Sequence, residues 1–155
     1  MLDLYDELKA LVARLTERDL DFALCGGLAM AVHSLPRATI DIDLLVPREA
    51  LEAVRSVLRN LDYRIEALPM RLAGGAVQIH RLSKADPDSG DLLSVDLLLV
   101  SPPIEVAWTT RVQVEWEHGR LPVVSRAGLI LMKSLRNSGQ DQDDIRRLQG
   151  EVDEA

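Results

Sequence analysis

The sequence predicts an α+β fold, in which a mixed β-sheet is flanked by helices and two further helices close the C-terminal end. Within residues 39–46, the polar residues Thr39, Asp41 and Asp43 alternate with apolar ones, which is typical of a half-buried strand. Residues 76–83 and 91–100 are apolar runs separated by a loop rich in turn-forming residues, so they predict paired strands. Residues 2–18 and 48–61 carry apolar side chains at helical spacing.

The remaining elements follow from local signals. Gly26-Gly27 ends a short buried strand over 21–25, and a short helix follows over 28–34. Ser125 is a predicted N-cap for a helix that reaches about Asn137, and Gly139 separates it from a last helix over 141–149. The less regular segments are a weak strand near 63–67, one or two helical turns over 103–109, and a hairpin of 111–117 with 120–124.

Bulk properties place the chain among compact globular proteins. Its 155 residues, 47% hydrophobic and 28% charged, suffice for a single domain over 1–155. No apolar run approaches the roughly 20 residues needed to span a bilayer, and the N-terminus lacks a basic signal-peptide region. With Cys25 as its one cysteine, the chain is expected in a reducing cytoplasm. The net charge of −7 disfavours broad nucleic-acid binding.

Asp41 and Asp43 are the first candidate site residues. Two positions apart on a strand, they leave the same face with Cα atoms roughly 6.5 Å apart, so both can reach one Mg²⁺ ion. Alternation alone also produces such a pair on a strand whose polar residues simply face solvent. Thr39 lies on the same face, either beside a bound nucleotide or as an ordinary strand former.

Gly26 and Gly27 stand between a strand and a helix, where glycines allow close backbone approach and helix-start amides attract anions. An ordinary glycine turn is the alternative, and it suffices for Gly74-Gly75. Arg37 either braces a phosphate or caps the loop after Pro36.

Asp96 interrupts the apolar run of residues 91–100. A carboxylate in a buried strand is costly unless it binds a metal or pairs with a cation such as an arginine. Asp96 is therefore a third candidate, with burial against an arginine as the alternative.

These segments together resemble the nucleotidyltransferase superfamily that shares the DNA polymerase β palm, and most closely the small bacterial branch of abortive-infection and toxin–antitoxin nucleotidyltransferases. The resemblance covers roughly residues 20–149. It is carried by Gly26-Gly27, Arg37-x-Thr39-x-Asp41-Ile42-Asp43-Leu44, Asp96, Leu129-Ile130-Leu131-Met132-Lys133, and Asp141-x-x-Asp144-Ile145-x-x-Leu148. Leu28 departs from the pattern, since many relatives place Ser or Thr after the glycines.

The resemblance implies a set of roles. Gly26 and Gly27 would hold a triphosphate through backbone amides, and Lys133 would lie near its phosphates. Asp41 and Asp43 would bind two Mg²⁺ ions, for which Mn²⁺ can substitute. Asp96 would complete the metal site and accept the proton of an acceptor hydroxyl. A solvent-directed lysine is the alternative for Lys133, and the helix dipole alone accounts for Asp141, Asp143 and Asp144.

The leading hypothesis is a nucleotidyltransferase that moves a nucleoside monophosphate from a nucleoside triphosphate to a hydroxyl on tRNA, protein or a small molecule. An antitoxin or a second copy of the chain is the expected partner, because so short a chain leaves little for acceptor recognition. The alternative is a non-catalytic nucleotide- or protein-binding module of the same fold, which Leu28 favours. An Asp-x-Asp phosphatase fits poorly, because Leu44-Leu45-Val46 follow where Thr or Ser is needed.

Overall fold

The computed structural model describes residues 2–33, 41–136 and 139–150. Eight strands of one sheet and six α-helices lie within these ranges. The helices are α1 (Leu4–Glu17), α2 (Gly26–Val32), α3 (Leu51–Asn60), α4 (Glu105–Thr109), α5 (Arg126–Arg136) and α6 (Gly139–Leu148). The strands are β1 (Ala23–Cys25), β2 (Asp41–Val46), β3 (Ile65–Glu66), β4 (Met70–Leu72), β5 (Val77–Ala85), β6 (Leu92–Leu99), β7 (Val112–Trp116) and β8 (Gly119–Val123).

The sheet is mixed, as the sequence predicts. Its order is β3-β5-β6-β2-β1-β8-β7, and β4 pairs with β5 beside β3. The β2–β6 and β1–β8 pairs are parallel and the remaining pairs are antiparallel. The centre of the sheet is therefore β6, β2 and β1, the three strands that carry the candidate acidic residues and lead into the glycine pair.

The core lies on both sides of these central strands. On one face Ile42 and Leu44 are fully buried, and α1 contacts both β2 and α3. The other face carries Asp43, which lines a cavity together with residues of α5. In turn α5 packs against α6 and α4. One face of β2 is thus committed to the core, whereas the other holds the acidic residues.

Most predicted elements are present with shifted ends. The glycine pair starts α2 instead of preceding it, and Gly139 starts α6 instead of acting as a breaker. Ser125 caps the start of α5, as predicted. Its Oγ accepts a hydrogen bond from the Gly128 amide at 3.1 Å. Strand β4 was not predicted, since its three residues are all exposed and leave no alternating pattern.

Across the described ranges, no helix combines the length and the apolar character needed to cross a membrane.

Candidate active site

Three acidic side chains meet on one face of the central strands. In the parallel β2–β6 pair, Asp43 stands directly opposite Asp96 and Asp41 opposite Ser94. Neighbouring strands lie about 4.8 Å apart and alternate residues share a face, so Asp41, Asp43 and Asp96 form a compact carboxylate cluster. Asp96 is buried, with 7% of its surface exposed, whereas the side chain of Asp41 is 31% exposed. The cluster thus has a buried end and an end open to solvent.

Arg81 joins the cluster from the next strand. The antiparallel β5–β6 register places Arg81 opposite Asp96. Its Nε and Nη2 donate to the two oxygens of Asp96 at 2.7 and 2.9 Å, and Nη2 lies 3.6 Å from Asp41 Oδ2. This bidentate geometry is the strong form of an arginine–carboxylate pair. The structure therefore contains the arginine pairing that was the alternative for Asp96, and it also places the three acids on one face of the sheet.

Electrostatic crowding makes Asp43 hard to ionise. Burial, followed by the neighbouring charges of Asp96 and Asp41, raises the pKa of Asp43 to about 7, although Arg136 and Lys133 oppose the shift. Burial also raises the pKa of Asp41, against the effect of Arg81. Carboxylates held close together and partly desolvated gain from a cation that neutralises them. The cluster therefore favours binding of additional positive charge.

Gly26 touches Asp43 so closely that no side chain fits between them. Its φ is +68°, and a Cβ built on Gly26 would lie 2.0 Å from Asp43 Oδ2. The β1–β2 register explains the contact, since Cys25 is the partner of Asp43. The glycine at the start of α2 thus brings the backbone against the carboxylate cluster. Glycine permits this approach because it has no Cβ and adopts a positive φ without strain.

Lys133 lies inside a buried ion network between α5 and α6. It is 5% exposed, and its Nζ donates to Asp144 Oδ2 at 2.9 Å and lies 3.9 Å from Asp141 Oδ1. Gln140 donates to the other oxygen of Asp144 at 2.8 Å. Arg136 Nε lies 3.7 Å from Asp141 Oδ2. The network fixes the cationic face of α5, whose charges act on Asp43.

A small cavity separates this cationic face from the cluster. It is lined by Cys25, Gly26, Asp43, Val77, Leu98, Ile104, Leu129, Met132, Lys133 and Arg136. Its volume of about 20 Å³ accommodates little more than one water molecule. A ligand larger than a water molecule can therefore reach the cluster only from its solvent-exposed side, at Asp41, unless α5 moves away from the sheet.

Comparison with known proteins assigns the family. Residues 9–146 match the family described as "Nucleotidyl transferase AbiEii toxin, Type IV TA system". The chain belongs to this family. The predicted resemblance to bacterial toxin–antitoxin nucleotidyltransferases is thereby confirmed, and so is the assignment to a family of enzymes.

Solved structures show the same fold. A putative nucleotidyltransferase from Thermotoga maritima is 14% identical, with a TM-score of 0.60 over 95% of this chain and 92% of that one. The lincosamide antibiotic adenylyltransferase LnuA, bound to lincomycin, is 16% identical, with a TM-score of 0.61 over 95% and 97% of the two chains. ANT(2'')-Ia in complex with adenylyl-2''-tobramycin is 14% identical, with a TM-score of 0.60 over 96% and 88%. At these identities the likeness establishes the nucleotidyltransferase fold alone. No curated protein sequence gives a significant match.

For this AbiEii-family chain, the structure brings Asp41, Asp43, Asp96 and Gly26 together, and Lys133 lies across the cavity. Two predicted nucleotide-binding residues, Arg37 and Thr39, lie outside the described residues. The roles of all these residues stay predictions.

Two interpretations of the C-terminal helices were wrong. Lys133 does not point to solvent, and Asp141 and Asp144 do more than complement a helix dipole, because they are 3% and 0% exposed and surround Lys133. The i, i+3 spacing of the two acids, which places them on one helix face, was the available signal. Arg81 was also missed, although the strand prediction for 76–83 could have placed it on a face.

The donor set of the AbiEii-family cluster fits a hard divalent cation, because its ligands are carboxylate oxygens, and burial together with their mutual repulsion raises the pKa of Asp43. Within the described ranges, however, no three His, Cys, Asp or Glu side chains converge closely enough to hold a metal ion. The three carboxylates therefore suit a metal ion by their chemistry. In this structure, however, Asp96 and Asp41 face the guanidinium of Arg81.

Proposed function

We propose that this AbiEii-family chain is a metal-dependent nucleotidyltransferase that moves a nucleoside monophosphate from a nucleoside triphosphate to a hydroxyl acceptor. The observation that carries the proposal is the β2–β6 register, which sets Asp43 directly beside Asp96 and leaves Asp41 at the solvent-exposed end of the same face. Carboxylates placed in this way can serve both metal binding and proton transfer.

Asp41 and Asp43 would hold the metal and Asp96 would complete its site, in line with the hard-oxygen preference of Mg²⁺ or Mn²⁺. When bound, the metal supplies charge neutralisation for the attacking and leaving oxygens of an in-line displacement. Asp43 must ionise to serve as a ligand, and its pKa of about 7 means that metal binding releases a proton near neutral pH.

The chain's other residues would bind and orient the substrates. The amides of Gly26 and Gly27, at the start of α2, have no acceptor within the helix and would offer donors to phosphate oxygens. Lys133 and Arg136 place positive charge on the opposite wall of the small cavity, and they would meet a phosphate only if α5 moved away from the sheet. In the transfer, the acceptor oxygen bonds to the α-phosphorus, the bond to the β-phosphate bridging oxygen breaks, and pyrophosphate leaves. Asp96 would accept the proton of the acceptor hydroxyl.

The acceptor and the partner are further proposals. Two of the structural relatives act on or bind antibiotics, and the family description names a toxin of a type IV toxin–antitoxin system. We infer a macromolecular hydroxyl acceptor, because the toxin family covers most of the chain whereas the antibiotic enzymes share only its fold. An antitoxin encoded with the chain would be the partner.

The test is transfer of label from each of the four α-³²P nucleoside triphosphates, with Mg²⁺, to total cellular RNA, to protein extract, or to lincosamide and aminoglycoside antibiotics. Wild type should label one acceptor class and release pyrophosphate, and Asp41→Asn should lower the rate by at least about a hundredfold at unchanged Tm. Glu52→Gln, on the exposed surface of α3, is the matched control. Full activity in Asp41→Asn would refute the assigned role. Metal-dependent nucleotide binding without transfer to any acceptor would favour the non-catalytic module.

A further inference from the structure

We propose that Arg81 is a built-in counter-cation of the carboxylate cluster, which competes with divalent metal for Asp96. The inference rests on the proposed function, because it concerns the same three acidic side chains. The inference adds one residue, Arg81, and one step to the proposed function. Asp96 becomes available to metal only after the guanidinium of Arg81 withdraws.

The contact geometry is the first argument. Arg81 engages both oxygens of Asp96, at 2.7 and 2.9 Å, so neither oxygen is left without a hydrogen bond. The same Nη2 lies 3.6 Å from Asp41 Oδ2, which places the positive charge between two of the three acids. A divalent ion shared by Asp41 and Asp96 would lie within a few ångströms of the guanidinium, where like charges repel.

The register shows that this placement is fixed by the backbone. Arg81 is the cross-strand partner of Asp96, which in turn is the partner of Asp43, so the three residues form one row across β5, β6 and β2. Ile79 and Ser83 flank Arg81 on its own face, opposite Leu98 and Ser94. No loop has to close to bring Arg81 to Asp96.

The absence of a ready metal site is the third argument. In the part of the chain that the structure describes, no trio of metal-ligating side chains is close enough to hold an ion, even though three acids share one face. Arg81 explains why the three acids share a face without forming a metal site. It neutralises the buried Asp96 and holds the Asp96 carboxylate toward β5. The side chain of Arg81 is 38% exposed, so it has room to swing away when metal or nucleotide phosphate arrives.

An ordinary structural salt bridge would use the same contacts, and metal affinity separates the two explanations. If Arg81 competes with metal, removing it strengthens metal binding. If Arg81 only holds the metal ligands in position, removing it weakens binding.

The experiment measures Mn²⁺ binding to the nucleotide-free protein by EPR, for wild type, Arg81→Met and Arg59→Met. Arg59 is the matched control, because it is also half-exposed and pairs with a carboxylate, Glu66, away from the cluster. We expect Arg81→Met to bind Mn²⁺ at least tenfold more tightly than wild type, with Arg59→Met unchanged. Unchanged or weaker binding in Arg81→Met, at a normal Tm, would overturn the proposal.

A second measurement needs no variant. In the NMR spectrum of the wild-type protein, the Nε–H of Arg81 should be protected by its bond to Asp96, and saturating Mg²⁺ should shift or abolish this signal. A signal that stays unchanged at saturation would also overturn the proposal. If neither wild type nor Arg81→Met binds Mn²⁺ at all, both this proposal and the metal dependence of the proposed function fail. If the two proteins bind Mn²⁺ with equal affinity, only the competition between Arg81 and metal is refuted.

Discussion

Substituting Gly26 tests whether the glycine turn exists to admit Asp43. In Gly26→Ala the new Cβ would lie 2.0 Å from Asp43 Oδ2, 2.8 Å from its Cγ and 2.9 Å from its Cβ. Contacts this short force the carboxylate of Asp43 out of its position in the cluster. Alanine would also have to adopt a φ of +68°, which costs roughly 1–2 kcal/mol in a residue that has a Cβ.

Gly74→Ala is the matched control for the backbone cost. Gly74 has a nearly equal φ of +63°, but a Cβ there meets no atom within 4 Å. Both variants should therefore lose the same 1–2 kcal/mol from the backbone, reduced by about 0.4–1 kcal/mol because alanine lowers the entropy of the unfolded chain. Gly26→Ala should lose about 1–3 kcal/mol more, the usual cost of overpacking.

Urea denaturation measures the free energy of unfolding for both variants. A double-mutant cycle with Asp43→Gly, which removes all three clashing atoms, should recover the additional 1–3 kcal/mol as a coupling energy between residues 26 and 43. Equal losses in Gly26→Ala and Gly74→Ala, with no coupling to Asp43, would refute the reasoning.

Two further predictions concern the buried charges. Lys133→Met should lower the free energy of unfolding by about 3–5 kcal/mol, because it removes the buried ion pair between Lys133 and Asp144. Arg146→Met, which breaks the exposed pair with Asp143, should cost less than about 1 kcal/mol by the same urea assay, and similar losses in the two variants would contradict the buried network. Asp43 has its pKa raised from 3.8 to about 7, so folding favours its protonated form, and the metal-free fold should lose stability as the pH rises to about 7 and level off above it. Between a pH of about 5.5 and 8.5 the loss is about 2 kcal/mol at most. Melting in EDTA should show this loss in wild type, and its persistence in Asp43→Asn would exclude Asp43 as the source.

The acidic face of β2 was predictable because its cause is local. The alternation of acidic and apolar residues up to Leu44 fixes which side chains share a face, and the structure has Ile42 and Leu44 fully buried with Asp41 and Asp43 on the other side. Asp96 stood out for a similar reason, as a carboxylate within an apolar run. Composition and alternation sufficed here, since one face of a central strand must be buried.

Arg81 could not be assigned in the same way. A strand over 76–83 was predictable, but its partner residue on β6 depends on the register, and the loop between the strands sets that register. The Asp86 amide donates to Asp91 O at 2.7 Å, and Asp86 Oδ1 accepts from the Asp88 amide at 2.8 Å, which fixes the turn. A shift of one residue would have turned Arg81 to the other face.

The C-terminal network depended on tertiary contact. Asp141 at a helix start has a sufficient local explanation in the helix dipole, so nothing in the sequence required a buried partner. Only the packing of α6 against α5 brings Asp144 within 2.9 Å of Lys133. Whether 1–155 forms a single domain likewise stays a prediction.

The central claim is that divalent metal binds between the carboxylates of β2, next to the amides of Gly26 and Gly27. The most direct measurement is an anomalous difference map from a crystal of the protein with Mn²⁺ and a non-hydrolysable nucleoside triphosphate. The account predicts a Mn²⁺ peak within ligand distance of both Asp41 and Asp43, with triphosphate oxygens at the start of α2. A peak that contacts neither carboxylate, with the triphosphate bound elsewhere on the surface, would contradict it.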